Sequence, residues 1–383
     1  MQWRVPLSDL DYGPEEATAV CEVLESRWLT MGDVTRRFEE AFSDCLGVRH
    51  AIAVTNATAA LHLANVALGI GSGDEVIMPS LTFVATANAV RYTGATPVFV
   101  DIASENDLCV DPESVQSAIT PRTKAIAVMH YGGYPCDMPA IVALAKAHDL
   151  AVIEDAAHAP GAELDGRKAG AWGDIGCFSL FSNKNLATGE GGMIVTNRQD
   201  LADRVRLLRS HGMTTLTWDR HMGHAYSYDV VALGYNYRID EMRAALGLVQ
   251  LGKLETNNRL RRELSERYRE RLSDFEGLRL PNFSSRGLSA AHLMPILLAP
   301  DRNRETFVEA MRASGVQTSM HYPPVHQFTY YRGHDISPNL PLTEEMASRE
   351  VTLPLFPRMG DEQFELVVTE VENALRETIS QRP

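Results

Sequence analysis

From residue 50 to about residue 200, short apolar, β-rich runs alternate with helical patterns, and this alternation limits the fold more than any other feature of the chain. The runs are Ala51–Val54, Glu75–Met78, Pro97–Val100, Ala125–Met129, Ala151–Glu154, Ile175–Ser179 and Met193–Thr196. Between them lie amphipathic stretches such as Ala59–Leu68 and Pro139–His148. Strands separated by crossover helices predict a seven-stranded, mostly parallel sheet with helices on both faces. Ligands of such sheets bind in the crevice outside the strand C-termini. The residues that follow each run are therefore where chemistry is to be sought.

From Asp240 to about Leu272 the pattern becomes that of one long helix, with an intermittent apolar stripe of Leu246, Val249, Leu260, Leu264 and Tyr268 among Glu–Arg and Glu–Lys pairs. It reads as a connector. A chain of 383 residues has room for two units. Residues 1–250 are expected to form an N-terminal segment and a large domain, and residues 251–383 the connecting helix and a smaller C-terminal α/β domain. In the latter, Leu293–Leu298 reads as a strand, and Arg304–Ser314 and Asp361–Ser380 as helices.

The formal charge of −14, from 36 basic and 50 acidic side chains, argues against nucleic acid or an anionic membrane as the main partner. Five cysteines (Cys21, Cys45, Cys109, Cys136 and Cys177) are scattered without CxxC spacing and read as reduced thiols. Residues 1–20 carry Asp9, Asp11, Glu15 and Glu16 and no apolar h-region, and no run reaches the length of a membrane span. The expected location is the cytoplasm.

Three segments after strands carry chemistry. In Phe178-Ser-Leu-Phe-Ser-Asn-Lys-Asn-Leu-Ala-Thr-Gly-Glu-Gly-Gly192 a lysine, Lys184, follows a strand and precedes a turn of small residues. That arrangement offers an amine at the sheet edge, with backbone free to approach a bulky ligand. Pyridoxal phosphate (PLP) needs such an amine to hold its aldehyde as a Schiff base. Upstream, Val152-Ile-Glu-Asp-Ala-Ala-His158 ends an apolar strand in a carboxylate. A buried Asp155 can keep a pyridine nitrogen protonated, as PLP chemistry requires. Alone, Asp155 would serve equally as a helix N-cap and His158 as a first-turn residue. In Val54-Thr-Asn-Ala-Thr-Ala-Ala-Leu61 a strand turns tightly into a helix, whose N-terminal N–H groups suit a phosphate. Thr58 and Ser179 can add hydroxyls there, and Phe83, in Pro79-Ser-Leu-Thr-Phe-Val-Ala-Thr86, can stack on a pyridine ring, although a phenylalanine there is more often part of the core.

Taken in order, Trp28-Leu-Thr-Met-Gly32, Asn56-Ala-Thr-Ala-Ala-Leu61, Glu154-Asp-Ala-Ala-His158, the Lys184 segment ending Gly189-Glu-Gly-Gly192, Gly234-Tyr-Asn-Tyr-Arg238 and Leu353-Pro-Leu-Phe-Pro357 resemble the DegT/DnrJ/EryC1/StrS family of PLP-dependent aminotransferases. The resemblance implies PLP fold type I. It makes Lys184 the residue that carries PLP and Asp155 the partner of the ring nitrogen. It gives the phosphate to Ala57, Thr58 and Ser179, the ring face to Phe83, and the cofactor hydroxyl to His158. Asn236 would reach the neighbouring subunit's phosphate, making a homodimer with shared sites, although an Asn there can also cap the long helix. Ala57 departs from the glycine of many relatives, a difference harmless at negative φ. A family branch that dehydrates sugars replaces the lysine by histidine, and Lys184 argues against it.

On the substrate side the resemblance points to Thr30, Arg238 and His326; Glu190 either lines the entrance or only shapes its turn. His321 and His326 bracket a Pro-Pro turn without metal-ligand partners, so no metal is expected. Gly69, Gly71 and Gly73 follow a helix and read as a turn, not as a dinucleotide site. The implied activity is transfer of an amino group from glutamate or glutamine to a keto sugar, most simply a nucleotide-linked keto-hexose. A keto-cyclitol aminotransferase and a PLP-binding relative without turnover are the alternatives.

Overall fold

The computed structural model describes residues 3–215, 227–283, 287–332 and 338–378. The seven runs form one sheet: β1 (His50–Val54), β2 (Glu75–Pro79), β3 (Thr96–Val100), β4 (Thr123–Met129), β5 (Ala151–Asp155), β6 (Ile175–Ser179) and β7 (Gly192–Thr196). Their spatial order is β1-β7-β6-β5-β4-β2-β3. Strands β2 to β6 pair in parallel, and β7 alone runs against both of its neighbours. The exception has a local cause. No helix lies between β6 and β7, so the chain cannot return to the starting edge and must turn back beside itself. Leu180 and Gly191 close that turn through a 2.9 Å backbone bond, and Lys184 lies inside it. Reversal of a single strand therefore keeps the lysine at the C-terminal edge.

The alternation along each strand explains the layers. In β4, Ala125 and Ala127 join one apolar cluster while Ile126 and Val128 join another on the opposite face. Helices Ala57–Ala67, Ala85–Tyr92 and Gln199–Arg209 contribute to the first cluster, and Met138–Ala147 to the second.

The expected long helix spans Glu241–Leu272, capped by Asp240, whose side chain accepts from the Arg243 N–H. Its inner face is not the expected one. Leu264 and Tyr268 are buried, but Leu246, Val249 and Leu260 are only half-buried. Ala244, Ala245, Gly247, Gln250, Leu254, Asn258 and Arg261 are buried in their place. Polar residues are tolerated there because backbone carbonyls face them: Gln250 donates to Asp11 O at 2.9 Å, Asn258 to Pro160 O at 2.8 Å and Arg261 to Leu355 O at 2.7 Å. Gly247 lets the helix lie against the Phe38 ring, which a Cβ would approach to 2.5 Å.

The expected boundary between residues 250 and 251 falls within this helix. Beyond it, β8 (Leu278–Arg279), β9 (Met294–Leu298) and β10 (Glu350–Leu353) form an antiparallel sheet in that order. Helices Arg304–Ala313 and Asp361–Glu377 cover it, and Leu298, Phe307, Met311, Val351, Phe364 and Val368 share its core. Val5 belongs to the same core and pairs with Val316. The expected helix end at Ser380 lies outside the described residues. No helix among the described residues is long and apolar enough to cross a membrane.

Candidate active site

Register brings the chemistry-bearing ends together. Val54 and Ser179 are both opposite Gly192, and Cys177 is opposite Asp155. The turn after β1, the end of β6 and the end of β5 thus adjoin along one edge. At the turn, Asn56 caps helix Ala57–Ala67 by accepting from the Ala59 N–H at 2.8 Å. A Cβ on Gly192 would lie 2.5 Å from the Asn56 carbonyl carbon and 2.8 Å from the Ala57 nitrogen, so only glycine allows this approach. Ala57 and Thr58, half-buried, stand at the helix N-terminus where N–H groups favour an anion, and buried Ser179 lies two strands away.

Asp155 is 4% exposed. Its Oδ2 accepts from the Thr86 hydroxyl at 2.6 Å and its Oδ1 from the Ala157 N–H at 3.1 Å. Burial raises its pKa, while Thr86, Ala157 and the charge of Lys184 pull it back. For Lys184 burial lowers the pKa to about 8, with Asp155 opposing the shift. An amine so placed is partly neutral near physiological pH, as a nucleophile must be. Beside it lie two histidines. His158 accepts from or donates to the Tyr322 hydroxyl through Nε2 at 2.9 Å, and its Nδ1 is buried without a hydrogen-bond partner. The His158 ring lies 4.4 Å from that of His292, and His292 Nε2 is 3.5 Å from Lys184 Nζ. Burial holds both imidazoles well below their usual pKa, aided by the charge of Lys184. Phe83 is 54% exposed, with its ring 5.8 Å from that of Tyr322. The arrangement provides a half-buried amine, a buried carboxylate, neutral imidazoles and an anion-binding turn on one edge.

The DegT/DnrJ/EryC1/StrS aminotransferase family model matches residues 11–372. The chain belongs to this family. Among curated proteins it is 41% identical over 372 residues to the spore coat polysaccharide biosynthesis protein SpsC of Bacillus subtilis, covering 95% of each chain. Among solved structures, DesV of S. venezuelae, crystallised in complex with a ketimine intermediate, matches at 36% identity and TM-score 0.90, over 97% of this chain and 98% of that one. DesI, crystallised in the presence of its TDP-sugar product, matches at 34% identity and TM-score 0.87, over 99% of this chain and 92% of that one. The protein is an aminotransferase of PLP fold type I, and its cofactor is pyridoxal phosphate.

In this aminotransferase the remaining expected residues are spread more widely. Asn236 is exposed, on a segment that pairs with Ser210 and whose Tyr237 carbonyl accepts from the Thr55 N–H at 2.9 Å. The long helix is capped by Asp240, so the capping role open to Asn236 is not used. Thr30 is exposed and pairs with Asp240, and Arg238 is half-buried. Glu190 is exposed, and its carbonyl accepts from the Thr188 hydroxyl at 2.7 Å. His326 is buried in a separate network, with Nδ1 2.7 Å from Ser80 Oγ and Nε2 3.1 Å from Glu344 Oε1.

Thr86, Tyr322, His292 and Asn185 escaped the sequence reading. Thr82 and Thr86, four positions apart with hydroxyls 3.2 Å from each other, form a polar pair visible in the sequence just after a strand. Nothing local marks His292.

Proposed function

We propose that this aminotransferase transfers an amino group from glutamate or glutamine to the keto group of a nucleotide-linked hexose. The observation that carries the reading is the half-buried Lys184 amine, its pKa lowered to about 8 beside the charge of Asp155. The residues fit the cofactor. His158 has an orphaned buried Nδ1 for its hydroxyl, and Asp155 has lone pairs to spare beside its two hydrogen bonds. The turn at Ala57 and Thr58, with Ser179, suits its phosphate, and Phe83 would cover a ring face. Bound there, pyridoxal phosphate supplies an electron sink through a protonated pyridine ring.

The chain's own residues would do the rest. Lys184 would hold the cofactor covalently. Its amine, whose pKa is lowered by burial, would serve as the general base at the donor's Cα. Asp155 would set its charge against the ring nitrogen, and Thr86 and the Ala157 N–H hold that carboxylate in place. Thr30, Glu190 and Arg238 stand as substrate contacts, and His326 as one that its network would have to release.

The homodimer with shared sites belongs to this reading. Val230, Val231 and Leu233 are exposed, Leu233 by 86%, on the segment just before Asn236. An apolar strip of this kind is suited to a second copy of the chain, which would carry Asn236 to the neighbour's phosphate. The reduced thiols, Cys109, Cys136 and Cys177 buried and Cys21 and Cys45 exposed, accord with a cytoplasmic address.

For the nucleotide-linked sugar the support is the likeness to DesI, whose own product is a TDP-sugar. The test is a spectral titration of the loaded enzyme with glutamate, glutamine and other amino acids. The aminated enzyme is then challenged with keto-sugar nucleotides and with free keto-cyclitols. Return of the original spectrum with a sugar nucleotide is expected; return only with cyclitols would overturn the substrate, and no response to any donor would overturn turnover itself.

A further inference from the structure

We propose that His292 is a positioning residue for Lys184: its unprotonated Nε2 accepts a hydrogen from the lysine amine and so decides where the amine's lone pair points. The proposal rests on the reading of Lys184 as the cofactor lysine and general base.

Asn258, fully buried, donates through Nδ2 to Pro160 O at 2.8 Å, which leaves its Oδ1 to accept from Asn185 Nδ2, also at 2.8 Å. Asn185 Nδ2 donates as well to Ala290 O at 2.7 Å. Carbonyl oxygens cannot donate, so both amide orientations are determined by their partners. Asn185 Oδ1 is then the acceptor presented to His292 Nδ1, 2.9 Å away, and Nδ1 must carry the ring hydrogen. A neutral imidazole with Nδ1–H has a bare Nε2. That atom lies 3.5 Å from Lys184 Nζ, at the outer edge of hydrogen bonding.

The surroundings keep the ring neutral. His292 is 6% exposed, packed on His158, with the Arg261 guanidinium 3.5 Å from its carbonyl. Burial and the charges of Lys184 and Arg261 both disfavour an imidazolium there. The titratable groups facing Lys184 are therefore the carboxylate of Asp155 and the neutral rings of His158, His292 and His321, with the protonated phenol of Tyr322 next to His158. Of these, Asp155 offers charge and His292 offers a directed lone pair. Holding one N–H of the amine toward His292 Nε2 turns the amine's own lone pair away from that side, so that one orientation is favoured whenever the lysine is free.

The test reads Lys184 itself. In the full-length chain freed of cofactor, the pH dependence of its acylation is followed by peptide mass mapping, in the wild type and in His292→Phe, His292→Gln and Asn185→Leu. A neutral acceptor stabilises the ammonium, so His292→Phe is expected to lower the midpoint by about one pH unit, a tenfold loss of proton affinity. His292→Gln, which keeps an acceptor, should stay close to wild type. An unchanged midpoint in His292→Phe overturns the proposal, and so does a raised one, which would make His292 a cation. Should His292→Phe not fold, Asn185→Leu decides. Without its anchor the ring can turn its hydrogen toward the amine, so a lowered midpoint supports the proposal and an unchanged one overturns it. Borohydride trapping of the cofactor separates this outcome from the parent reading. Attachment at another lysine would sink the role of Lys184, while the titration would still judge His292.

Discussion

Replacing Asp155 by Asn removes a charge and leaves the strand end nearly unchanged in shape. In the wild type Oδ2 accepts from the Thr86 hydroxyl at 2.6 Å and Oδ1 from the Ala157 N–H at 3.1 Å. In the variant the amide oxygen should stay at Ala157, whose N–H cannot reverse. The amide NH2 then faces Thr86, whose hydroxyl can swing toward Thr82, 3.2 Å away. Folding and cofactor binding should survive. The charge does not. A unit charge pair about 4 Å apart at an effective permittivity of about 20 is worth ~4 kcal/mol. If all of it is realised in the transition state, its loss slows the reaction about a thousandfold. The same loss acts on Lys184: burial lowers its pKa to about 8 and Asp155 opposes that, so the variant's lysine should titrate lower still. The assay is single-turnover conversion of the loaded variant by an amino donor, with bound cofactor quantified separately. Full cofactor content with a rate within tenfold of wild type would refute the role given to Asp155.

Three further outcomes are expected. Lys184→Ala should leave a folded protein with no borohydride-stable cofactor on the chain and no turnover; a labelled peptide elsewhere would move the attachment site. Mixing Lys184→Ala subunits with Asn236→Asp subunits should restore activity toward a quarter of wild type, because about half of random dimers are mixed and each holds one intact site. No recovery, with subunit exchange shown by mass spectrometry, would place Asn236 in its own subunit's site. Glu350 is 1% exposed, and burial raises its pKa from 4.5 to about 8 against hydrogen bonds from Thr352 and the His321 N–H. A raised folded-state pKa means that its stabilising contribution is complete below about pH 4.5 and is lost as pH rises through about 8. Glu350→Gln should therefore flatten stability against pH in that window, read from urea midpoints, and equal slopes in the two proteins would contradict the assignment.

The sequence by itself determined the sheet and placed most of the candidate site residues along one edge of it. Apolar runs and side-chain alternation are local properties, and the strand C-termini of a parallel sheet adjoin whatever the intervening helices do. Lys184, Asp155, Ser179 and the Asn56–Ala57 turn could be read because each ends or closely follows such a run. Tertiary structure decided what depends on neighbours. The inner face of the long helix is one example: periodicity favours Leu246, Val249 and Leu260, but the carbonyls of Asp11, Pro160 and Leu355 bring Gln250, Asn258 and Arg261 inside. His292 is another, 108 positions from Lys184 and without any pattern around it. A lone histidine in an apolar stretch acquires a role only when the C-terminal unit folds over the sheet edge, and its tautomer is determined by amides contributed from two other segments.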